Sequence, residues 1–189
     1  MEPSVSLIGS ILGKLIDPVR TCLRRPRLEF LPFDAARDLK TWSLVGPIRR
    51  QQKVFTIEVR NRKRDIARRC VALLEVGTPS TTPRDGPLYV LHWADGDYAF
   101  RTTGAEPIDI GPEDRRLDVV FTFSEQPREG CWIATPAALV SPLATNDYLP
   151  PGQYDLSIEV KSENARSAKA IFRLTVPRRW DELGVVPEN

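Results

Sequence analysis

The sequence predicts a mainly β chain in which seven to eight antiparallel strands form two sheets packed face to face, preceded by a short amphipathic helix. Three observations lead there. From Leu28 onward, apolar and polar residues alternate with period two in one run after another. Gly, Pro, Asn and Asp collect between those runs, and 17 prolines disfavour long helices. No helical pattern of about 10–15 residues separates the runs, which argues against a parallel sheet built from βαβ units. The 189 residues suit one domain with appendages: 1–26 as helix and basic linker, 27–176 as the two-sheet body, 177–189 as a tail.

Taken in order, residues 4–23 place Ile8, Ile11, Leu12, Leu15, Ile16, Val19 and Leu23 at spacings of three and four, the period of an amphipathic helix. Pro18 should break or kink it, so the helix is expected over residues 5–16. Its apolar stripe needs a cover, and three remain open: the domain itself, a second copy, or a membrane surface. Strands are expected near 27–32, 53–60, 67–76, 87–93, 115–123, 130–134, 153–161 and 168–176. The alternation points Phe55, Ile57 and Val59 inward, and likewise Leu117, Val119, Phe121 and Phe123. Tyr154, Leu156, Ile158 and Val160 form another inner row, followed by Ala170, Phe172, Leu174 and Val176. Residues 77–87 read as an exposed, mobile loop. The tail is expected to fold back through Trp180 and to fray beyond it.

The stretch Leu149-Pro150-Pro151-Gly152-Gln153-Tyr154, leading into an alternating run, resembles the tyrosine corner of fibronectin type III and related immunoglobulin-like modules. Val54 to Asn61 followed by Ala67 to Val76 is similar to the adhesion-type immunoglobulin-like modules of bacteria and archaea, with Arg62-Lys63-Arg64-Asp65 in the turn. Leu91-His92-Trp93-Ala94, Ile108-Asp109-Ile110-Gly111-Pro112 and Cys131-Trp132-Ile133-Ala134 extend the likeness to a group of prokaryotic single-sandwich proteins. The resemblance covers residues 27–176 and implies an immunoglobulin-like β-sandwich, with Tyr154 in a structural role. It implies no catalytic residue, because such modules bind, space or assemble. It also leaves open an inter-sheet Cys70–Cys131 bridge beside the reading of two reduced, buried thiols.

The residues that carry chemistry are few. Cys22, Cys70 and Cys131 have no metal-ligand spacing, and one histidine, His92, cannot build a histidine cage. Flanked by Leu91 and Trp93, His92 reads as a structural histidine inside a strand. Asp95-Gly96-Asp97 with Asp109, Glu113 and Asp114 fits no calcium loop and reads first as a turn. There is no phosphate-binding glycine loop and no nucleophile elbow. Expected, then, are no enzyme activity, no cofactor, no metal site and no small-molecule substrate. The apolar N-terminal stretch is too short and polar to cross a bilayer, and no secretory signal is evident, so a cytoplasmic location is expected, at most peripheral to the membrane.

Charge is the more informative property. The sequence has 27 Lys and Arg against 25 Asp and Glu, but residues 1–69 carry 16 of the former and 7 of the latter. An antiparallel body would bring one end of each strand to a common pole. On that reasoning Arg24, Arg25, Arg27, Arg62, Lys63, Arg64, Arg68, Lys161, Arg166 and Lys169 should converge. Arg49, Arg50 and Lys53 belong to the opposite end. The leading expectation is a non-enzymatic binding or assembly module with a protein partner or self-association. Attachment to an anionic membrane surface or to nucleic acid through the basic pole is the alternative.

Overall fold

The computed structural model describes residues 25–44, 50–78, 87–94, 106–125 and 128–188. The expected N-terminal helix, most of the 77–87 loop and the Asp95-Gly96-Asp97 turn lie outside the described residues. The chain runs through β1 (Leu28–Phe30), α1 (Ala35–Asp38), β2 (Leu39–Leu44), β3 (Arg50–Asn61), β4 (Ala67–Gly77), β5 (Leu88–Val90), β6 (Trp93–Ala94) and β7 (Ile108–Ile110). It continues through β8 (Arg115–Phe123), β9 (Cys131–Ile133), α2 (Pro136–Val140), β10 (Tyr148–Leu149), β11 (Gly152–Lys161), β12 (Ala168–Val176) and β13 (Gly184–Glu188).

These strands form two antiparallel sheets. The first runs β1-β3-β8-β9-β10, with β2 also on β3 and β6 also on β8. The second runs β13-β12-β11-β4-β5, with β7 also on β4. All eight expected runs carry strand, the 87–93 run being split between β5 and β6. Four strands were not expected: β2, β7, β10 and β13. The tail is therefore corrected in part, because Gly184–Glu188 pairs with β12 from Thr175 to Ile171 and extends the second sheet. Val185 of this strand and Leu183 just before it are buried in the core.

The two sheets share one apolar interior. Phe55 of β3 meets Phe172 of β12 edge to face at 5.3 Å, and Phe33 stands 6.0 Å and 6.1 Å from the two rings. The predicted inner rows of β3, β11 and β12 face this interior, with Ala170 partly buried against it. The predicted row of β8 does so only at Leu117 and Val119. Its register with β3 shifts between Phe55 and Thr56, so the ladder pairs Phe55 with Val120 and Thr56 with Asp118. The extra residue of this bulge puts both Val119 and Val120 into the shared interior. Phe121 and Phe123 then move to the outer face of the first sheet. There they form a second cluster with Val54, Trp132, Ala134 and Ala138, flanked by Leu139 and Tyr148. Helix α2 contributes Ala138 and Leu139 to it; Thr135 caps that helix through its hydroxyl, which accepts from the Ala138 N–H at 3.1 Å, and Pro136 opens the first turn.

His92 is also corrected. It lies in the two-residue crossover from β5 in one sheet to β6 in the other, not inside a strand. The Leu91 N–H donates to Ala72 of the second sheet at 2.9 Å, and the His92 N–H to the Ala134 carbonyl beyond β9 at 3.0 Å. Its Nδ1 is 3.7 Å from the buried Asp118 carboxylate. Cys70 and Cys131 are buried and not bonded to each other. Burial raises both thiol pKa values, which keeps them neutral.

At the start of β11 the Tyr154 hydroxyl donates to the Pro150 carbonyl at 2.9 Å while its ring is packed in the core. Tyr154→Phe removes that bond and is expected to cost about 1–2 kcal/mol; Tyr154→Ala also empties a buried volume and should cost about 3–5 kcal/mol. Denaturant unfolding checks both, and a wild-type midpoint for the alanine variant would contradict the packing described. Before β9, Gly130 has φ +138°, and a Cβ there would strike the Leu149 carbonyl and the Tyr148 ring. Gly130→Ala should therefore cost more than about 1 kcal/mol by the same measurement.

Candidate functional site: a basic pole

Three segments meet at one end of the sheets: the approach to β1, the β3–β4 turn at residues 62–66, and the β11–β12 turn at residues 162–167. Antiparallel pairing brings them together. β1 runs against the last residues of β3, from Leu28 with Asn61 to Phe30 with Val59. Val160 and Lys161 at the end of β11 lie beside Ala72 and Val71 near the start of β4.

Asn61 organises the first junction. It is 3% exposed, and its carboxamide has four hydrogen bonds. Its oxygen accepts from the Arg27 N–H at 3.2 Å and the Lys63 N–H at 3.1 Å. Its nitrogen donates to the carbonyls of Asp65 at 2.7 Å and Ile110 at 3.1 Å. That is the full capacity of a carboxamide, so the group is buried without an unmet polar atom. The Arg62 N–H adds a bond to the Arg27 carbonyl at 2.9 Å. At the second junction the Asn164 carboxamide accepts from the Arg68 N–H at 2.8 Å and donates to the Ile66 carbonyl at 2.9 Å. The Ser162 hydroxyl donates to the Arg68 carbonyl at 2.9 Å. A parallel bridge between Arg27 and Arg166 links the sheets at this end.

The structure thus brings together Arg25, Arg27, Arg62, Lys63, Arg64, Arg68, Lys161, Arg166 and Lys169, all of them exposed. Arg24 lies outside the described residues. Four members of the enlarged cluster are held by carboxylates: Arg62 by Glu29, Arg69 by Glu163 at 3.3 Å, and Lys161 and Lys169 by Glu159 at 3.7 Å and 3.4 Å. Among the described residues, Arg25, Arg27, Lys63, Arg64, Arg68 and Arg166 have no ion pair. An arrangement of this kind offers several unspent positive charges on a frame held by backbone hydrogen bonds, which suits a surface of repeated negative charge.

Sequence reasoning did not find Asn61, Ser162 or Asn164, which hold the pole in place, nor Arg69. Arg69 has φ 48° at the irregularity where β4 meets β7, and its N–H donates to the Asp109 carboxylate at 2.9 Å. Asn before a charged turn, and Ser-x-Asn in the next turn, are side chains that bond local backbone; that was the available signal.

Several other charged features are internally balanced. On the outer face of the first sheet Arg60 grips Asp114 with bonds of 2.7 Å and 2.8 Å, which pulls the Asp114 carboxyl below its ordinary pKa. Arg116 and Arg37 both reach Glu58, and Arg37 also donates twice to the buried Asp38 carboxylate. At the opposite pole a cleft of about 310 Å³ is lined by Phe123, Arg128, Arg178, Arg179 and Trp180, with Glu129 and Asp181 between them. Its Arg178 pairs with Glu129 and its Arg179 with Asp181, while Arg128 lies 3.9 Å over the Tyr148 ring. Among the described residues no three His, Cys, Asp or Glu side chains form a group able to hold a metal ion.

Asn61→Leu should remove four hydrogen bonds at once and strand backbone groups at the junction. The expected loss of stability is above about 1 kcal/mol, since the Ile110 carbonyl is buried and a buried group left unpaired costs about 1–3 kcal/mol. Unfolding in denaturant measures it, and a loss under about 1 kcal/mol would contradict the organising role.

No protein-family model matches the chain, and comparison with curated proteins finds no match either.

Proposed function

We propose that the chain is an immunoglobulin-like, non-enzymatic binding module that docks an anionic partner through its basic pole. The strand order supports the fold in this reading. β1, β3, β8 and β6 lie in the order of strands A, B, E and D of such a module, facing β5, β4, β11 and β12 in the order C′, C, F and G. The Tyr154 bond to Pro150, four residues upstream at the start of the F strand, fits the same architecture. On this reading β2, β7, the β9–α2–β10 segment and β13 are additions to an eight-strand body.

The observation that carries the functional part is the set of six cations at one end that, among the described residues, have no ion pair. Concentrating them there raises the local potential, and that repulsion is relieved when an anion docks. A protein partner bound through a sheet edge has less support. β13 ends the second sheet but contains Pro187, which has no N–H to offer, and β5, β7 and β10 are two or three residues long.

The test is retention on a heparin surface as salt is raised. Arg64→Gln, Arg68→Gln and Arg166→Gln together should weaken binding and lower the slope of log affinity against log salt by about three, one for each charge removed. Because these side chains are exposed, thermal unfolding should stay near wild type. Retention of the triple variant at the wild-type salt concentration would overturn the reading.

A further inference from the structure

We propose that the cleft at the pole opposite the basic one binds a small molecule in which a planar ring carries a phosphate monoester. The cleft encloses about 310 Å³. That is the low end of the range for small-molecule sites, which suits one ring system with its phosphate and is tight for a dinucleotide. Its aromatic lining comes from Phe123 and Trp180, both half-buried. Both are anchored. The Phe123 ring stands 5.3 Å from Phe121 and 5.9 Å from Trp132, against the outer cluster of the first sheet. Trp180 is held through the backbone: the Thr122 hydroxyl donates to its carbonyl at 2.9 Å, and Lys53 donates to the next carbonyl, that of Asp181, at 2.6 Å. A lining fixed by two strands is formed before a ligand arrives, so little ordering is lost on binding.

The cations decide what the ring must carry. Arg128 holds its guanidinium carbon 3.9 Å over the Tyr148 ring and, among the described residues, has no ion pair. The tyrosine restrains that guanidinium without spending its charge. Arg178 is paired with Glu129 at 3.7 Å, their side chains 82% and 60% exposed. A pair so exposed is worth little in water and gives way to a stronger anion. Arg179, by contrast, is engaged by both Asp181 and Glu182. Two available guanidiniums match the charge of about −1.5 to −2 on a phosphate monoester better than the single charge of a carboxylate. Their N–H forks also take two phosphate oxygens at once. The site is independent of the basic pole and uses none of its residues.

The experiment is calorimetric titration of the full chain with phenyl phosphate and with UMP, beside inorganic phosphate, phenol and benzoate. Phenyl phosphate is expected to bind about tenfold or more tightly than inorganic phosphate, phenol or benzoate, because only it offers the ring and the dianion together. Arg128→Gln and Trp180→Leu should each weaken it about tenfold, the value of one charged hydrogen bond or one stacked ring. Arg128 is exposed, so its variant should unfold in denaturant near the wild-type midpoint. Arg64→Gln, Arg68→Gln and Arg166→Gln together should leave phenyl phosphate binding unchanged. Tighter binding of UMP than of phenyl phosphate supports a nucleotide as the source of the ring, and the reverse supports a phosphorylated aromatic compound. Equal affinity for phenyl phosphate and inorganic phosphate overturns the part given to the ring. Undiminished phenyl phosphate binding by both cleft variants, or its loss in the basic-pole variant, moves the site out of the cleft, and no binding of either phenyl phosphate or UMP overturns the proposal.

Discussion

The buried Asn61 carboxamide holds together what the strands alone would leave apart. Where β3 ends, the chain must leave one sheet and begin the other, and backbone groups at such a corner lose their ladder partners. One side chain supplies four partners, reaching β1, the turn itself and the end of β7. The cations of residues 62–64 can be numerous because they are not asked to hold the turn. Their positions are set by a neutral, buried group, and the charges of Lys63 and Arg64 remain available to solvent and to a partner.

Much of this was legible in the chain. The strands buried on one face announce themselves by period two, and β3, β11 and β12 each face the interior with the residues the alternation selects. The basic pole was legible for a related reason: strand length and antiparallel order determine which turns share an end, without any knowledge of side-chain contacts. What escaped was whatever depends on a break in period. The bulge opposite Phe55 shows in the sequence only as the consecutive apolar Val119-Val120-Phe121, a run that by itself does not say which residue is extra, yet it sends Phe121 and Phe123 outward. Pro187 demotes Gly184–Glu188 as a strand by every local rule, although an edge is where such a strand is tolerated. His92 read as a strand residue because its neighbours are apolar, but those neighbours are buried on account of a crossover.

The bulge has effects beyond its own site. By sending two aromatic residues of β8 to the outer face, it makes that face too apolar to be left to water. The first sheet accordingly continues past β8 into β9 and β10, whose Trp132 and Tyr148 join the two phenylalanines on that face, and α2 adds Ala138 and Leu139 to the cluster. Further along the same face, where alternation puts Thr56, Glu58 and Arg60 outward, the cover is ionic: Arg116 and Arg37 on Glu58, and Arg60 on Asp114. One sheet thus presents an apolar half and a charged half, and a single extra residue marks the boundary between them.

The Arg27–Arg166 bridge bears on how the domain would respond to tension. A pull along the chain from its N-terminal side would arrive at Arg25 and pass into β1. There the load would divide at once, part into β3 through Leu28–Phe30 and part into the other sheet through Arg166. Because β1 lies alongside β3 instead of ending on it, its bonds would have to slide past one another together and could not open singly like a zip. A module tethered at that end would keep its core shut under loads that would peel away a strand attached to one sheet alone.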